Sequence, residues 1–106
     1  MYRTVIVEDD PMIASINQTF LSRDPRFSLA AVFHSGQEAL EWLRKRPVEL
    51  LILDVYMPRM SGLELLRELR AELPDFSPRI IPSAFSIGRI SSTSFISFSP
   101  IHDAVP

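Results

Sequence analysis

With 106 residues and a formal net charge of −2, the chain is one domain at most, and its interspersed acidic and basic residues leave no basic stripe for a nucleic-acid surface. Cysteine is absent, which excludes disulfides, thiolate metal sites and cysteine nucleophiles and fits a reducing compartment. No apolar stretch approaches the roughly 20 residues needed to span a bilayer, and the start carries no signal-peptide pattern, so the chain reads as cytoplasmic with no membrane partner.

Thr4 to Val7 is a short apolar strand. Asp10 then stands as N-cap with Pro11 at the first helical position, where a missing N–H costs nothing. In the helix that follows, Ile13, Ile16, Phe20 and Leu21 recur at helical spacing and predict one buried face. Asp24-Pro25 stops it, because the residue before a proline avoids the helical region. Phe27 to Phe33 is the second strand, and Ser35-Gly36-Gln37-Glu38 is a capping box that opens a second helix. Ala39, Leu40 and Leu43 form the apolar face of that helix, Trp42 flanks it and Pro47 ends it. Leu50 to Leu53 shows no alternation and reads as a central strand buried on both faces. After a loop, Ser61-Gly62-Leu63-Glu64 is a second capping box, starting a helix with Leu66, Leu69 and Leu73 along one side. Strand-helix alternation three times over argues for a parallel sheet with right-handed crossovers.

From Pro74 the sequence changes character. Residues 74–106 contain no Leu, Glu or Lys but many Ser and five Pro, and no helical period runs through them. Ile80-Ile81 can seed a strand, and Ser94 to Ser99 reads as an edge strand or as irregular chain. The division is therefore residues 1–73 as an ordered α/β part and residues 74–106 as an irregular Ser/Pro-rich tail. Such a switch suggests a shifted reading frame or a spliced end. Leu50 to Leu53 would then keep an unpaired far edge, which predicts a homodimer or a domain-swapped oligomer.

Two apolar runs end in acid: Val5-Ile6-Val7 in Glu8-Asp9-Asp10, and Leu50-Leu51-Ile52-Leu53 in Asp54. As parallel strands of one sheet they would bring their carboxylates together at its carboxyl edge, where α/β folds place ligands. Crowded carboxylates repel unless a hard cation such as Mg2+ neutralises them. Asp10 fits a helix cap better than a metal ligand.

Val5-Ile6-Val7-Glu8-Asp9-Asp10-Pro11, followed by Leu51-Ile52-Leu53-Asp54-Val55-Tyr56-Met57-Pro58-Arg59-Met60-Ser61-Gly62-Leu63-Glu64-Leu65-Leu66, resembles the receiver domain of two-component response regulators. The wording around Tyr56 is most similar to receivers of citrate- and dicarboxylate-sensing regulators. The resemblance covers residues 1 to about 73 and implies a flavodoxin-like (CheY-like) doubly wound parallel sheet, here incomplete after the third strand-helix unit. It implies that Asp54 is the phosphoacceptor, taking a phosphoryl group from a sensor histidine kinase. It further implies that Asp9 binds Mg2+ directly, Glu8 through water, and the Tyr56 backbone carbonyl beside Asp54. Such regulators control transcription through a separate DNA-binding domain, so no DNA contact by this chain is expected.

The family also has a Ser or Thr at the end of its fourth strand that donates to the phosphoryl group. Ser83 lies about where that residue would fall, although Pro82 before it fits a buried parallel strand badly. The catalytic lysine of the fifth strand is missing: its place falls near His102 to Val105, and the only lysine is Lys45. Met57-Pro58 and Met60 read as loop packing, His34 and His102 as surface imidazoles, and Arg44-Lys45-Arg46 as a solvated helix end. Two other classes stand beside the signalling module. One is an inert, truncated or frame-shifted receiver. The other is a phosphatase using Asp54, which would need a second acid where Tyr56 stands, so an enzyme is not expected.

Overall fold

The computed structural model describes residues 1–83. Its elements alternate as β1 (Tyr2–Val7), α1 (Pro11–Ser22), β2 (Phe27–Phe33), α2 (Gly36–Leu43), β3 (Leu50–Leu53), α3 (Gly62–Glu72) and β4 (Arg79–Pro82). The strands form one sheet in the order β2-β1-β3-β4, and every neighbouring pair is parallel.

Alternation along the strands supplies both faces of this sheet. Val5, Val7, Leu51, Leu53 and Ile80 share a core with Ala39, Leu40 and Leu43 of α2 and Leu65, Leu66 and Leu69 of α3. Ile6, Leu50 and Ile52 point the other way, onto Ala14 and Leu21 of α1. One helix on one face and two on the other follow from right-handed crossovers about a chain that leaves β1 in one direction for β2 and then crosses back to β3. The β1–β3 junction is thus the topological switch point, and the loops after β1 and β3 meet above it.

The helix starts follow their caps. Asp10 Oδ1 accepts the N–H groups of Met12 (2.9 Å) and Ile13 (3.4 Å). The Ser61–Glu64 box is complete in both directions. At α2 only half of the box forms: Ser35 Oγ accepts from the Glu38 N–H, while the Glu38 carboxylate accepts from the Ser35 hydroxyl rather than from its backbone N–H. Trp42 flanks the apolar face of α2 as expected, partly buried against the core with its ring 5.8 Å from that of Phe33.

Three expectations are corrected. The buried stripe of α1 is Ala14, Asn17 and Leu21, while Ile16 is 39% and Phe20 62% exposed. Ala14 is the small residue that lets the helix axis approach the sheet, and the stripe centres on that approach rather than on the largest apolar residues. The sheet does not stop after the third strand-helix unit: β4 pairs with β3 from Leu50↔Arg79 to Leu53↔Pro82. The far edge of β3 is therefore covered, which removes the open β3 edge as a reason for self-association. Pro82 is accommodated because the N–H groups that β4 turns toward β3 include those of Arg79, to Glu49 O at 3.0 Å, and Ser83, to Leu53 O at 3.0 Å. By the alternation of a parallel ladder, the nitrogen of Pro82 faces the other side, where among the described residues no strand asks for a donor. The proposed strand at Ser94 to Ser99, the lysine position near His102 to Val105, and His102 itself lie outside the described residues.

Candidate functional site

Register brings the acidic residues together. Val7 pairs with Leu53, and Leu53 with Pro82. The next position along each strand therefore puts Glu8, Asp54 and Ser83 in one row across β1, β3 and β4. Backbone bonds past the strand ends hold that row: Glu8 N–H donates to Phe33 O (2.9 Å), Asp54 N–H to Val7 O (2.9 Å) and Ser83 N–H to Leu53 O. Glu8, Asp54 and Ser83 are all buried.

Oxygens of Glu8, Asp9 and Asp54 lie within 4.8 Å of one another. Burial raises the Glu8 carboxyl from its ordinary 4.5 to about 8, and the neighbouring Asp54 adds to the rise, while the Ser83 hydroxyl and the Asp10 N–H pull it down. Asp9 is raised by the same two causes, burial first and Asp54 second. Glu8 Oε2 accepts the Asp10 N–H at 3.1 Å, but Glu8 Oε1 is buried without a hydrogen-bond partner. A buried acceptor with no donor, facing two further carboxylates, is what a hard cation would relieve, and an all-oxygen donor set suits Mg2+. The residues present fit that ion.

Asp54 Oδ1 also accepts the N–H of Tyr56 at 2.9 Å, so the loop after β3 folds back over the carboxylate. That loop continues through Arg59 at φ 68°, in the left-handed region, to the cap of α3. Gly62 closes it: a Cβ there would stand 2.5 Å from the Asp54 carbonyl oxygen. Met57 is buried and Met60 packs against the same core, in keeping with loop packing. A cavity of about 570 Å3 opens beside the acids, lined by Asp9, His34, Ser35 and the Met57–Met60 loop among others.

Asp10 caps α1 and stays out of the acidic cluster. Lys45 follows the far end of α2, which runs away from the carboxyl edge, so it sits at the opposite rim of the sheet. His34, expected as a surface imidazole, is exposed, but its Nδ1 lies 3.0 Å from the Glu8 carbonyl oxygen. Its position immediately after a strand, like that of Glu8, Asp54 and Ser83, was the available signal.

The response regulator receiver domain family matches residues 4–88, extending past the expected limit near residue 73. The transcriptional regulatory protein MalR of Bacillus subtilis (strain 168) is 40% identical over 93 residues, covering 88% of this chain and 40% of MalR. A protein-glutamate methylesterase/protein-glutamine glutaminase of Syntrophus aciditrophicus (strain SB) is 41% identical over 85 residues, covering 79% of this chain and 23% of that protein. The chain thus spans less than half of either relative. A chain of the crystal structure of histidine kinase ThkA in complex with response regulator protein TrrA superposes with a TM-score of 0.67 at 32% identity, over 89% of this chain and 78% of that one. None of the helices among the described residues is long and apolar enough to cross a membrane. With the switch-point acids, the parallel order β2-β1-β3-β4 and the matching sequence in agreement, the chain belongs to the response regulator receiver domain family.

Proposed function

We propose that the chain is the phosphoacceptor module of a two-component phosphorelay. In this reading Asp54 takes a phosphoryl group from a phosphohistidine of a sensor histidine kinase. The observation that carries it is the buried row Glu8–Asp54–Ser83 with Asp9 beside it, at the carboxyl edge of the switch point. An Asp54 carboxylate oxygen attacks phosphorus, the P–N bond breaks, and its electron pair leaves with the imidazole of the donor. Asp9, Glu8, Asp54 and the Tyr56 carbonyl would hold Mg2+, which when bound supplies positive charge against the phosphoryl oxygens. The Tyr56 N–H keeps Asp54 Oδ1 oriented. Ser83 offers its hydroxyl, now beside Glu8, as the donor to an arriving phosphoryl oxygen.

A sensor kinase as partner is supported by the likeness to the ThkA–TrrA complex. An output in transcription is supported by the identity to MalR. The chain itself then acts as a switch and not as an enzyme, and touches no DNA, in keeping with its mixed surface charge. Among the described residues the carboxyl edge carries Glu8, Asp9, Asp54 and Ser83 and no lysine.

The test is incubation with acetyl phosphate and Mg2+, read by mass spectrometry. One added phosphoryl group is expected, lost in Asp54→Asn, and formed about 10²-fold more slowly in Ser83→Ala. Labelling that survives in Asp54→Asn would move the acceptor elsewhere. An unchanged rate in Ser83→Ala would remove Ser83 from the site.

A further inference from the structure

The row at the carboxyl edge has a fourth member. Val7 pairs with Phe33, so the next position places His34, just past the end of β2, beside Glu8, and the row reads His34, Glu8, Asp54, Ser83 across the whole described sheet. This alignment depends on a bulge. The register steps from Thr4↔Leu29 to Val5↔Ala31, one extra residue on β2. Were the register to run unbroken from Thr4↔Leu29, Phe33 would stand opposite Glu8, and every side chain beyond that point would change face.

We propose that His34 is a positioning residue that fixes the Glu8–Asp9 peptide and so aims both carboxylates at Asp54. The Glu8 N–H is already tied to Phe33 O at 2.9 Å. In a parallel ladder its carbonyl would next accept the N–H of Ser35, but there the chain turns away as the N-cap of α2. The His34 ring takes up that carbonyl, with Nδ1 3.0 Å from the oxygen. A carbonyl oxygen only accepts, so Nδ1 carries the hydrogen. Because the peptide is planar, holding this carbonyl also holds the Asp9 N–H and hence the direction in which the Asp9 side chain leaves the backbone. The Asp10 N–H on Glu8 Oε2 anchors the same turn from its other end. His34 is itself exposed, so its ring contributes little to the core.

The inference rests on the reading of Glu8, Asp9 and Asp54 as a cation site. Its test has two readouts. Mg2+ affinity by calorimetry is compared for the wild-type chain, His34→Ala and His34→Asn, whose side-chain amide nitrogen occupies the place of Nδ1. The Asp9 and Asp10 amide resonances of the metal-free proteins are compared by 15N NMR. His34→Ala is expected to weaken Mg2+ about 3- to 10-fold, to displace or broaden the two resonances, and to leave the thermal midpoint nearly unchanged. His34→Asn is expected to return both readouts close to wild type. Unmoved Asp9 and Asp10 resonances in His34→Ala, or an Asn variant that behaves like Ala, would overturn the proposal. A wild-type chain that binds no Mg2+ would overturn the cation reading instead, and the metal-free resonances would still decide the role of His34.

Discussion

Glu8 is fully buried, one of its oxygens has no donor, and its pKa is raised to about 8. A carboxyl whose folded value exceeds its unfolded value binds its proton more tightly in the native state. It therefore favours folding below about 4.5, and that contribution disappears as pH climbs through about 8. The metal-free protein should accordingly melt at a higher temperature near pH 5 than near pH 9. Glu8→Gln should flatten most of that slope, and saturating Mg2+ should recover stability at the alkaline end. A midpoint that rises from pH 5 to pH 9 would show that Glu8 is solvated. The acids at strand ends were legible in the sequence because an apolar run stopping in a carboxylate marks an edge. Ser83 and His34 were harder to read, since serines crowd that part of the chain and one histidine carries no periodicity. Only their place one step past a strand end, in register with Glu8, gives them meaning.

At the scale of elements, α3 is defined by its first turn. The Ser61–Glu64 box satisfies two backbone N–H groups reciprocally, and Gly62 within it meets the Asp54 carbonyl so closely that no side chain fits. Gly62→Ala should thus force apart the start of α3 and the peptide that carries the phosphoacceptor. A loss of about 1–3 kcal/mol in urea unfolding is expected, together with weaker Mg2+ binding. Full stability with unchanged Mg2+ affinity would mean that the loop shifts freely. The strands β2 and β3 and the capped helix starts could be read directly, because their signals are local. The inner stripe of α1 could not, because it depends on how near Ala14 brings the helix to the sheet, and nothing in the helix alone states that distance.

For the whole molecule the decisive element is β4. It covers β3, places Ser83 beside the acids and buries Ile80 completely. If it belongs to the cooperative unit, Ile80→Ala should cost about 2–5 kcal/mol, lowering the urea midpoint in one transition followed identically by fluorescence and circular dichroism. A loss below about 0.5 kcal/mol would show a strand that is only loosely attached. The sequence by itself determined the α/β alternation, the three strand-helix units up to Leu73, the caps at Asp10, Ser35 and Ser61, and the acids that end β1 and β3. Each of these rests on near neighbours: apolar period, capping chemistry, proline. Tertiary structure alone decided that β4 forms despite Pro82, because that depends on which edge the missing N–H faces. It alone decided that one row joins His34, Glu8, Asp54 and Ser83, because register is a property of paired strands, and residues 8 and 83 have none until β3 lies between them.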